Sequence, residues 1–89
     1  VDAQREASTR LRAAADTGDW PAECAAILHQ AADHCDQATV DTPTGWWMIW
    51  LPHIAATWRI GDSHPDTDVA QAAARVRRTI LEAATVMPP

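Results

Sequence analysis

Trp46-Trp47-Met48-Ile49-Trp50-Leu51, followed by Pro52 and His53, is the stretch whose reading decides the fold. It is apolar at every position up to the proline, so periodicity cannot separate a buried helix from a buried strand. Its surroundings can. Pro52 suits a first-turn position, Ile54 and Trp58 form an i, i+4 pair, and Gly61 falls where a helix stops. A strand at 46–51 is the alternative, but the chain offers it no pairing partner, and unpaired backbone is costly. The expectation is therefore a helix over residues 44–60, kinked or broken at Pro52, because proline disfavours helical geometry at Leu51.

The flanks carry clearer patterns. Ala3, Ala7, Leu11 and Ala14 share one face of a helix over 2–16, with Gly18 placed as its C′ residue. That face holds one large side chain, so the helix is expected to be peripheral. Asp19-Trp20-Pro21 then opens a second helix, with Asp19 as cap, Pro21 in the first turn and Glu23 near the positive end. Cys24, Ile27, Leu28, Ala31, Cys35 and Ala38 run as a continuous stripe opposite His29, Gln30, Asp33 and Gln37, ending near Thr39. After a turn at 62–68, Asp68 with Gln71 resembles a capping box, although Asp66 is also placed to cap. Val69, Ala73, Val76, Ile80 and Ala84 line the last helix, Arg78 and Glu82 are spaced to pair, and Pro88 and Pro89 close the chain. The fold class expected is all-α: one domain over residues 1–89, a small bundle of four helices.

At 89 residues the chain has room for one thin core. The 47% apolar content is too high for a disordered chain. The core must be built unusually, since there is no Phe or Tyr but five Trp and 19 Ala. Small Ala surfaces let helices approach while indoles fill the gaps. Lys and Asn are also absent, which suits a GC-rich genome of the actinobacterial or phage kind.

A net charge of −5 makes nucleic acid or an anionic membrane an unpromising default partner. The charge is segregated: no basic residue lies between Arg12 and Arg59, where Asp16, Asp19, Glu23, Asp33, Asp36 and Asp41 all fall. Solvated faces that pair when the ends fold back are the expectation. Cys24 and Cys35, eleven residues apart on one helix, are about 16 Å apart along its axis, beyond disulfide reach. Buried thiols, no signal or lipidation pattern at Val1, and no apolar run near the ~20 residues of a membrane span predict a cytoplasmic protein.

Chemistry-bearing motifs are sparse. His29, Asp33 and Asp36 make a thin metal set beside the close ligand pairs of zinc sites, so neither metal nor cofactor is expected. His34 reads as a boundary residue flanking the stripe. Gly61-Asp62-Ser63 resembles three residues of the GDSL hydrolase nucleophile block, but no histidine follows His64 to complete it. Asp16-Thr17-Gly18 matches the aspartic-protease triplet and is better explained as a helix end. An enzyme is not expected, and no small-molecule ligand is evident. Arg75, Arg77 and Arg78 are the candidate nucleic-acid contacts, giving a small DNA-binding regulator as the alternative reading.

The tryptophans remain. A segment apolar all round cannot bury every face against thin Ala-lined helices, so some indoles should reach the surface, where Trp is enriched in binding hot spots. Trp46, Trp47, Trp50 and Trp58 are the expected partner-binding residues of a non-catalytic interaction module, a small accessory, regulatory or phage-type inhibitor protein. Its partner is expected to be another protein or a second copy of the chain in a homodimer.

Overall fold

Thr42 and Pro43 set the start of the decisive helix. In the computed structural model, which describes residues 2–86, the Thr42 side chain accepts a hydrogen bond from the Gly45 amide at 2.9 Å, and Pro43 opens the first turn. The helix then runs from Pro43 to Ser63, named α3 below, two residues past Gly61. It passes Pro52 without a break, and the kink there is minor. Pro52 and Met48 are both exposed, so the Met48 carbonyl, which loses its amide partner at Pro52, lies on the solvent side of the helix.

The other helices among the described residues are α1 (Asp2–Thr17), α2 (Ala22–Gln37) and α4 (Thr67–Ala84). No strand occurs among the described residues, so the decisive stretch is helical and the bundle all-α. The Pro88-Pro89 end lies outside the described residues.

Consecutive helices are antiparallel. At one end Gln4 of α1 donates to the carbonyls of Cys35 and Ala38, at 3.0 and 2.9 Å, closing the C-terminus of α2. Glu23, early in α2, meets His64 just past α3 at 3.1 Å. The Trp46 indole N–H, early in α3, donates to the Ala84 carbonyl at the end of α4 at 2.8 Å. Packing is heaviest within α1–α2 and within α3–α4, and α1 does not touch α3. Extents of 40 × 24 × 18 Å leave the bundle no more than two helices thick, so every helix keeps an outward face.

Several caps differ from expectation. Asp19 does not cap α2; Pro21 holds that position and its carbonyl takes the Cys24 and Ala25 amides. α2 ends at Gln37, short of Thr39. Asp66, not Asp68, caps α4, accepting from the Asp68 amide at 2.9 Å. Arg78 and Glu82 form no ion pair. Gly18 does follow α1, but not in the left-handed conformation that favours glycine. Its reason is the Trp20 ring: a Cβ at Gly18 would fall 2.1 Å from Trp20 Nε1, which donates to the Ala14 carbonyl at 2.8 Å.

The core follows the stripes. Leu11 of α1, Cys24, Ile27, Leu28, Ala31 and Cys35 of α2, and Val76 and Ile80 of α4 are buried together with Trp46, Ile49 and Trp50. The two inner indoles meet edge to face, 5.3 Å between centroids at 79°, with Ala72, Ala73, Ala83 and Ala84 buried on α4. Leu11 is sealed completely, so α1 contributes to the core rather than lying at its edge.

Candidate functional site

The helix that carries the apolar stretch 46–51 has two sides with different fates. Trp46, Ile49, Trp50 and Thr57 recur at helical spacing and face the core. Trp46 and Trp50 have no exposed surface at all, which removes both from the expected docking set. The reason is geometric: they sit one turn apart on the side that α4 covers, and the Ala84 carbonyl fixes the Trp46 ring there. Trp47 is half-buried against the core.

The outward side of α3 carries Met48, Leu51, Pro52, Ala55 and Trp58, all exposed and three or four residues apart. Met48 is 60% exposed, Leu51 and Trp58 52% each. This stripe spans about 15 Å along the helix. Among the described residues, Leu81 of α4 is the other large apolar side chain left exposed, at 40%. The remaining outward faces differ. α1 turns out Arg5, Glu6, Thr9, Arg10 and Asp16, while α2 turns out Glu23, His29, Gln30, Asp33, Asp36 and Gln37.

Trp58 is held in place rather than free. The Arg77 guanidinium lies over its ring, 3.4 Å from the centroid, while Arg77 Nε donates to the buried Thr57 hydroxyl at 3.1 Å. Thr57 in turn donates to the Ile54 carbonyl at 2.6 Å. Beside this stack a shallow groove of about 340 Å³ runs between α3 and α4, floored by Gly61, Ala70 and Ala74. An indole ordered by a cation on one side and bordered by a small-residue groove is suited to receive an apolar side chain.

No protein-family model, no curated protein and no solved structure matches this chain.

The expected arginine set is divided. Arg77 is stacked on Trp58 and Arg75 lies 4.6 Å over the Trp20 ring, leaving Arg78 exposed on α4. Two of the three cations are thus engaged with indoles inside the chain rather than extended from one solvated face. Among the α1–α2 charges, Arg12 reaches both Asp33 and Asp36 at 2.7 Å, and Glu6 pairs with Arg10 at 2.9 Å. Arg12 borders a polar groove of about 440 Å³ with Gln4, Arg5 and Ser8.

Both cysteines are free and buried. Burial, reinforced by the nearby Asp36 charge, pushes the Cys35 thiol up to about 11. Burial also raises Cys24, with the Glu23 charge adding to it. Both therefore stay protonated near neutrality. No cluster of three metal-ligating side chains, His29 with Asp33 and Asp36 included, occurs among the described residues. One pair absent from the sequence reading does form. His34 of α2 and His53 of α3, nineteen positions apart, bring Nδ1 and Nε2 to 3.0 Å. Nothing local in the sequence announces it, because it depends on how α2 crosses α3.

Proposed function

We propose that this chain is a non-catalytic protein–protein interaction module that docks through the outward face of α3. The observation that carries the reading is the contrast among helices: α1 and α2 present polar outer faces, whereas α3 presents Met48, Leu51, Pro52, Ala55 and Trp58. Leaving large apolar side chains in water forfeits about 25 cal/mol for each Å² that burial would remove from it. A domain this small gains more from covering such a stripe than from exposing it. Trp58, preset by Arg77, is the anchor, and Leu51 and Met48 extend the contact along the helix.

The reading includes a cytoplasmic setting, consistent with two buried free thiols, and an accessory, regulatory or inhibitory role toward a protein partner or a second copy of the chain. No helix among the described residues is long and apolar enough to cross a membrane.

The test is a Met48→Glu/Leu51→Glu double variant beside Trp58→Ala. Light scattering across a concentration series and affinity capture should show association by the parent chain that both variants lose. The double variant should match the parent in circular dichroism and unfolding midpoint, and Trp58→Ala should keep the parent's circular dichroism with a loss of only about 1 kcal/mol. A parent that stays monomeric and captures nothing, or association that survives both variants, rejects the α3 face.

A further inference from the structure

Among the described residues, two side-chain hydrogen bonds join α2 to α3 and its C-cap, and each uses an imidazole. His34 Nδ1 and His53 Nε2 lie 3.0 Å apart, and His64, the C-cap of α3, meets Glu23 at 3.1 Å. The two contacts share one antiparallel register: eleven residues separate Glu23 from His34 on α2, and eleven separate His53 from His64. They are therefore about 16 Å apart along the seam. That register sets Ile27 opposite Ile60 between them, and Ala38 opposite Ile49 beyond the histidine pair. The contacts answer protons differently. His64 Nδ1 accepts from the Asp66 amide at 3.0 Å, so its Nε2–H donates to Glu23, and it does so whether or not the ring is charged. The histidine pair needs one ring to donate and the other to accept. Two neutral rings meet that need, and so does one neutral ring beside one charged. With both rings charged, two N–H groups and two positive charges face each other.

We propose that the His34–His53 pair is a proton-operated latch: when both rings are protonated, the C-terminal end of α2 parts from the middle of α3, pivoting on the Glu23–His64 contact. The surroundings leave the pair to itself. α3 has no other ionisable residue from Pro43 to Trp58, and α1 does not touch α3. On α2, Asp33 and Asp36 turn to Arg12, and His29 is exposed, as is Asp41 of the connecting loop. On α4, Arg75 and Arg77 cover indoles, while Asp68, Arg78 and Glu82 are exposed. Of these groups, His34 is the one whose charge acts on His53. Burial first, and the His34 charge second, lower the proton affinity of His53 below its ordinary value of 6.5. The closed seam thus binds fewer protons than the open one. Its hold is complete above the ordinary value and is lost as pH falls through the lowered one. The outward face of α3 takes no part in the seam, so the latch goes beyond the docking reading and stands without it.

Ring and methyl NMR contacts across the seam, followed from about pH 8 to about pH 5, test the latch. In the parent chain the His34–His53 ring contact and the Ala38–Ile49 methyl contact are expected to be lost at the acid end. The Ile27–Ile60 contact and the helical circular dichroism persist. His34→Gln, at an exposed position, keeps the Ala38–Ile49 contact throughout, because an amide both donates and accepts and takes up no second charge. His53→Gln does the same, and His29→Gln retains the parent's response. Three results overturn the latch: seam contacts that do not change over the interval, loss of Ile27–Ile60 together with Ala38–Ile49, or the parent's loss repeated in His34→Gln.

Discussion

The two hairpins of this bundle are held together by different means. In α1–α2 the outer surface is charged, and Arg12 crosses from α1 to Asp33 and Asp36 of α2. In α3–α4 the bracing is aromatic: an indole N–H on a helix-end carbonyl, and a guanidinium over the Trp58 ring. The first hairpin can meet water on its outer side unaided. The second spends its strongest contacts inward and leaves Met48, Leu51, Trp58 and Leu81 exposed. Stability and surface chemistry are thus separated across one helix, and α3 is where they part.

The largest effect should come from cutting the inward side. Trp46→Ala deletes a fully buried ring and its bond to Ala84, at a cost of about 3–5 kcal/mol. That is a large share of the roughly 5–15 kcal/mol holding a domain of this kind. Trp58→Ala, on the other side of the same helix, removes an exposed ring and one cation–π contact, costing about 1 kcal/mol. Urea denaturation of both variants measures the gap. Equal losses would break the division, making the outer face structural.

A finer comparison lies between the two inner indoles. Both are sealed, and they touch each other, but Trp46 N–H reaches Ala84 whereas Trp50 N–H has no partner among the described residues. Phe replaces either ring with a similar loss of volume, so the difference between variants isolates the hydrogen bond. Trp46→Phe takes the indole donor away from the Ala84 carbonyl, and Trp50→Phe removes a buried donor with no partner among the described residues. Trp46→Phe should therefore be the less stable variant by about 1–3 kcal/mol. Near-equal midpoints in matched unfolding curves would mean that the Trp46 bond contributes nothing net.

How much of this could be read from the sequence depended on whether one face of a helix was polar. The stripes on α2 and α4 were legible because His29, Gln30 and Asp33, or Arg75 and Arg78, mark the wet side. Residues 46–51 offered no such mark, so Trp46 and Trp50 could not be told from Met48 and Leu51 by hydrophobicity. The signal lay one turn further on. Continuing Met48, Pro52 and Ala55 by the same spacing reaches Arg59 and Asp62, which label that side as outward. Caps were read less well, since Thr42-Pro43 was an unused start signal and Asp19 precedes a proline that needs no side-chain cap. The His34–His53 and Arg77–Trp58 contacts join distant positions through packing, and local patterns carry no record of them.

The smallest effect concerns the charged hairpin and its dependence on pH. The Ser8 hydroxyl and, after it, the Arg12 guanidinium hold the Asp36 carboxyl below its usual value of 3.8, against a partial opposing effect of burial. A carboxyl with a depressed folded-state value binds fewer protons folded than unfolded. Its contribution is therefore complete above the unfolded value and is lost as pH falls through the folded one. Asp36 is 40% exposed, so solvent screening limits that contribution to about 1 kcal/mol or less. Asp36→Asn should be slightly less stable than the parent near neutrality, with the gap closing as pH drops below about 4. Arg77→Met provides the contrast. The Arg77 contacts, the Trp58 ring and the Thr57 hydroxyl, do not titrate in this range, so any gap it opens should stay level over the same interval. A gap for Arg77→Met that closed alongside that of Asp36→Asn would show that both hairpins are braced by charge, and the distinction between them would fail.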